Sequence, residues 1–176
     1  MNFYKISTAD FSKQTAEVDL IKVVGDFVYL QSKNKLKKPF VSVTNSEMPL
    51  EVVEALNELE TQLNAIRTAK LAELDNARDA YISSGVEYNG VAYDSDPQSQ
   101  ILISQAIARY TRLGEVPEGF LWIAKDNSLN ALKLADLIEL EGKMAERLYT
   151  AYIKANKLKN SVRDSVDLGQ IQSVVW

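Results

Sequence analysis

The chain contains neither cysteine nor histidine. Without cysteine there is no disulfide framework, no thiolate metal site and no cysteine nucleophile. Without histidine, Ser-His-Asp and Cys-His catalysis within one chain is excluded, as are the common zinc sites. Carboxylates, lysine, tyrosine and arginine remain for acid–base work. The seven glycines are scattered, so there is no glycine-rich phosphate loop. Basic charge is not in excess: the net charge is −4, which argues against general nucleic-acid binding. Long apolar runs are absent too, and nothing approaches the roughly 18 residues needed to span a bilayer. The stretch MNFYKISTADF lacks the basic start and continuous apolar core of a signal peptide. The expectation is a protein made in a cytoplasm, with no membrane insertion and no nucleic-acid partner.

What is present is the composition of a folded soluble protein: 176 residues, 46% apolar and 25% charged. That length suits one ordinary domain or two small units. The pattern predicts an α+β chain in four parts: a small β unit over 1–45, a long coiled-coil-like helix over 46–82, a hairpin with two helices over 83–165, and a terminal strand over 166–176. In the first part NFYKIS alternates, VDLIKVV and DFVYLQ flank a Gly25-Asp26 turn, and KPFVSV starts a fourth strand at Pro39. Lys33, Lys35, Lys37 and Lys38 sit between the last two. They read as a solvated loop that discourages edge pairing, or as a contact for an acidic partner. A β unit this small needs a partner or an adjoining helix.

Ser46 is placed to cap the long helix, with Pro49 in its first turn. Val52, Leu56, Leu59, Leu63 and Ile66 form a heptad seam, which resumes after Lys70 at Leu74, Ala77 and Tyr81. A second heptad-like seam follows Leu134, Leu137, Glu141, Met144, Leu148, Ala151, Ala155 and Leu158, broken once by Glu141 and near Gly142. Each seam packs either on its own chain, as an antiparallel pair, or in a homo-oligomer. The candidate oligomer interface is therefore Val52, Leu56, Leu59, Leu63, Ile66, Leu137, Met144, Leu148 and Trp176, the last because a terminal Val-Val-Trp is costly when exposed.

The densest stretch is VEYNGVAYDSDPQSQ, residues 86–100. Gly85 is placed to end the long helix in a left-handed conformation. Asn89-Gly90 is the preferred pair for a type I′ hairpin turn. Asp94, Ser95 or Asp96 caps the next helix, with Pro97 as its first residue. Ile101, Leu102, Ala106, Ile107 and Tyr110 mark that helix's apolar face, and Gly114 and Pro117 close it. A short strand follows over Phe120–Ala124. Asp126-Asn127-Ser128 then turns or caps into a third helix that runs to about Leu158. The Asp94-x-Asp96-x-Gln98 spacing invites a calcium reading. Positions 6 and 12 of such a loop would be Ser99 and Gln105 rather than Gly and Glu, so helix capping explains the same residues. Tyr88, Tyr93, Tyr110 and Trp122 form either a binding platform or, by default, the hydrophobic body. No catalytic, cofactor or metal residues are expected.

Arg78-Asp79, Gly85, Asn89-Gly90, Asp96 with Ser99, Trp122 and Asp126-Asn127 together resemble an uncharacterised domain of tailed-bacteriophage proteins, among them tail, tail-fibre and tail-fibre-assembly proteins. The resemblance covers about residues 78–138. It implies a structural virion protein, a tail, fibre-attachment or collar component that is made in the host bacterial cytoplasm. Its partners would be other tail and fibre proteins, with a trimer or ring of its own chain. A tail-fibre assembly chaperone is the alternative. A glycan or cell-wall hydrolase using paired carboxylates is the third reading.

Overall fold

A computed structural model describes residues 1–14, 16 and 18–176. The architecture is α+β, and the chain divides into two compact units, Met1–Ala65 and Ile66–Trp176.

The first unit holds a four-stranded antiparallel sheet in the order β2-β3-β1-β4, from β1 (Asn2–Ser7), β2 (Asp19–Val24), β3 (Phe27–Ser32) and β4 (Val41–Ser42). Gly25, at φ +57, makes the β2–β3 reversal. KPFVSV contributes only the two residues of β4, while Phe40 is buried beside Tyr4, Ile6, Val28 and Leu30. A short helix α1 (Thr8–Phe11), unforeseen in the sequence, is capped by Ser7, whose Oγ accepts from the Asp10 amide. Phe11 packs on the same sheet face.

The other face is covered by helix α2 (Leu50–Ser83), which supplies the fully buried Val52 and the half-buried Leu56 against Tyr29 and Val43. The β unit therefore extends past residue 45 to Ala65, with Met48 and the first turns of α2 packed on its second face. Ser46 does not cap α2. It lies in a 3₁₀ turn, Asn45–Glu47, where the Glu47 carboxylate accepts from the Thr44 amide and hydroxyl at 2.8 and 2.7 Å. The Pro49 carbonyl starts the α-helix by accepting from Val52 and Val53.

The second unit contains the rest of α2 and two hairpins, β5 (Val86–Tyr88) with β6 (Val91–Tyr93) and β7 (Trp122–Ile123) with β8 (Leu129–Asn130). It also contains α3 (Pro97–Leu113), α4 (Leu134–Asp164) and α5 (Leu168–Ser173). Asn89 and Gly90 have φ of 51° and 78°, the type I′ reversal expected of them. Asp126-Asn127-Ser128 turns the second hairpin rather than capping a helix, with Asn127 at φ 66°. α4 begins only at Leu134, where the Asp136 carboxylate reaches back to the Lys133 amide at 2.8 Å. The expected terminal strand is the helix α5, capped by Asp167 through the Gln170 amide, with Ile171 fully buried.

The α3 face shifts from the sequence reading, while the α4 seam is buried at Leu137, Met144, Ala151 and Ala155 and differs only at its break. On α3 the buried residue is Ile103, with Ala106, Ile107 and Tyr110 packed beside it, while Ile101 and Leu102 face outward. Three consecutive apolar residues left the face ambiguous, yet Ile103, Ala106, Ile107 and Tyr110 fit the i, i+3, i+4, i+7 template. On α4 the core position is Leu140, fully buried, and not Glu141. The same core holds Tyr88, Tyr93, Leu137 and Met144, with Phe120 and Trp122 against it.

Candidate functional site

α2 and α4 run antiparallel in the second unit, joined by polar contacts spaced along both helices. Arg67 donates to the Ser165 carbonyl at 3.0 Å. Lys159 donates to both Asp75 oxygens at 2.7 Å, a contact that holds the Asp75 carboxyl below its usual range. Arg78 bonds Asp75 and Asp79 at 2.6 and 2.8 Å while lying 4.8 Å over the Tyr152 ring. Arg147 donates to the Tyr81 carbonyl and Ser84 hydroxyl and stacks 3.9 Å over the Tyr81 ring. Trp176 packs on the same Tyr81, ring centroids 5.9 Å apart, and the Lys154 ammonium lies 4.6 Å over the Trp176 ring. Within the chain, the 67–81 part of α2 thus pairs antiparallel with α4.

Of the nine candidate interface residues, Val52, Leu137 and Met144 are buried within their own units of the single chain. Trp176 is half-buried against its own chain. Leu56, Leu63, Ile66 and Leu148 are half-buried, and Leu59 is exposed.

The residues of the 78–138 motif all do structural work. Gly85 has φ +97°, and a Cβ there would sit 2.7 Å from the Tyr93 carbonyl oxygen, so only glycine lets the end of α2 lie this close to β6. The Asp96 carboxylate takes the Gln98 and Ser99 amides at 2.9 and 3.2 Å and the Ser99 hydroxyl at 2.6 Å. The Ser99 hydroxyl bond leads in lowering the Asp96 pKa. Ser95, fully buried, donates to the Ile82 carbonyl. Asp126 accepts from the Ser128 amide at 2.9 Å. Lys125 ties the two hairpins by donating its amide to the Ala92 carbonyl at 2.9 Å.

Two carboxylates do converge, though they were not singled out in the sequence. The Tyr88 hydroxyl lies 2.8 Å from Asp136 and 3.1 Å from Glu139, one helical turn apart on α4. The Asp136 bond, with desolvation and the Glu139 bond, pushes the Tyr88 pKa up to about 12. Asp136 is itself held low, first by the Lys133 amide and then by Tyr88. This arrangement fixes the β5–β6 hairpin on the start of α4. Among the described residues, no group of three or more acidic or metal-ligating side chains is placed to hold an ion, and no helix is long and apolar enough to cross a membrane.

One apolar groove, of about 400 Å³, lies between α3 and β7. It is lined by Leu102, Phe120, Leu121, Trp122 and Ile123, with Asp94 and Ser99 at its polar end. Leu102, Leu121 and Ile123 are 48–61% exposed, and Leu129 on β8 is as open as Ile123. Leu102, Leu121 and Ile123 thus form a cluster of exposed apolar side chains beside the half-buried Phe120 and Trp122.

Fold and site together define an α+β scaffold of capped helices and tight hairpins that presents apolar surface. Residues 65–173 match the family described as a domain of unknown function, DUF4376, and the chain belongs to that family. The match covers almost the same residues as the second unit. No curated protein and no solved structure matches the chain.

Proposed function

We propose that the protein is a structural component of a tailed-bacteriophage tail, fibre attachment or collar, acting through protein–protein contacts rather than chemistry. The α3–β7 groove carries this reading: three aliphatic side chains, Leu102, Leu121 and Ile123, are held open to solvent beside half-buried aromatics. A second-unit scaffold rigidified by caps, stacked cations and hairpin turns keeps that surface in shape, which lowers the ordering cost of binding. The resemblance of residues 78–138 to tail-protein domains supplies the setting. Quantitative protein analysis of purified mature particles tests it. A stoichiometric amount in the particle is the expected result. Presence only in assembly intermediates would replace it with the chaperone reading, and absence from both would overturn it.

A further inference from the structure

The β sheet of the first unit ends on β2, and among the described residues no strand pairs with its outer edge. Edge strands of soluble proteins are usually short, charged or covered. β2 is six residues long, and its sequence DLIKVV carries only Asp19 and Lys22 as charges. Leu20 and Val23 are 53% and 51% exposed.

A bulge between Leu20 and Lys22 decides where those two side chains point. Leu20 pairs with Leu30 and Val23 with Val28. Directly opposed residues share a face of a sheet, so both lie on the face of the Leu30–Val28 core. In a regular strand, residues three apart would face opposite ways. The bulge thus sets the two apolar side chains on one face at the rim. Asp19 pairs with Gln31 and Lys22 with Tyr29, which puts both charges on the other face.

The geometry points to a second copy of this chain as the occupant, pairing antiparallel β2 to β2 across a two-fold axis. In the register that sets Leu20 opposite Val23 of the partner, Val23 faces the partner's Leu20 by symmetry. The same register places Asp19 diagonally across from Lys22 of the partner on the opposite face, within reach of a long side chain. One alignment therefore satisfies the apolar pair twice and the ion pair twice, which is what an isologous interface requires. The axis passes beside the two bulges, so the irregular positions meet each other and the regular ones flank them. The joined sheet has eight strands. This dimer does not depend on the tail assignment, because its test is made on purified protein and the tail test is made on particles.

The test uses the full chain, which has no native cysteine. Leu20→Cys and Val23→Cys proteins are mixed under mild oxidation. The mixture should form a disulfide-linked dimer, since only opposed positions come within disulfide reach. Neither variant alone, nor a Val41→Cys control of similar exposure, should cross-link to the same extent. Sedimentation should show a dimer that Val23→Lys weakens at least about tenfold, with circular dichroism unchanged. Asp19→Lys should also weaken it, and Asp19→Lys with Lys22→Asp should restore it. A monomer at high concentration, or equal cross-linking by the control and the mixture, would overturn the inference. So would a dimer indifferent to both lysine substitutions.

Discussion

At the scale of single residues, the family motif is a set of backbone and packing requirements. Gly85 is the strictest, since both its left-handed φ and its 2.7 Å approach to the Tyr93 carbonyl forbid a side chain. Gly85→Ala should cost about 1–3 kcal/mol, read as a lower denaturation midpoint with unchanged slope. Tyr88 gives a pH test. Its folded pKa is raised from 10.0 to about 12, so the folded state favours the protonated phenol. That stability is complete below pH 10 and is lost as pH rises through about 12. Tyr88→Phe should be less stable than the parent at pH 7 and lose less stability over that alkaline window. The lowered carboxyls work in the opposite direction. Asp75, Asp96 and Asp136 are all held below the ordinary 3.8. Their contribution is present above 3.8 and fades as pH falls through their lower folded values. Acid titration should show Asp75→Asn losing part of this dependence, because its Lys159 partner is then unpaired.

The elements were readable in proportion to how local their causes are. Asn89-Gly90, Asp96-Pro97 and Gly114 announce their conformations through φ preferences and capping, and the hairpin, α3's start and α3's end lie where those residues put them. The second hairpin escaped because β7 and β8 have two residues each, too few for alternation to show. Adjacent apolar residues hide the face of α3, and on α4 the buried Leu140 stands beside Glu141, the break in the seam. Leu140 and Glu141 make the difference measurable. Leu140→Ala should cost about 2–5 kcal/mol as a core truncation, whereas Glu141→Ala should stay within about 0.5 kcal/mol. Equal effects in urea denaturation would contradict the burial assignment.

For the whole molecule, the important fact is two cores joined by one long helix. The first gathers on both faces of the sheet, around Leu30 and around Val52, and the second around Leu137, Leu140 and Ile103. Cores without shared residues lose stability independently. Leu30→Ala should therefore reduce hydrogen-exchange protection through β1 and β3 while leaving α3 and α4 amides protected, and Leu137→Ala should do the reverse. A uniform loss in either variant would mean the units unfold as one.

The sequence by itself determined the absence of cysteine- and histidine-based chemistry, the α+β class, the Asp96 cap, the Asn89-Gly90 turn and the presence of two long apolar seams. Those properties follow from side-chain identity and from neighbours within a few positions. Tertiary structure alone decided what the seams meet. A heptad stripe satisfied by a sheet, by an antiparallel helix or by a second copy has the same spacing, since burial depends on the partner surface and periodicity does not encode it. Here the first turns of α2 pack on the sheet and its end lies against α4, while the α3–β7 groove and the β2 edge keep apolar side chains exposed.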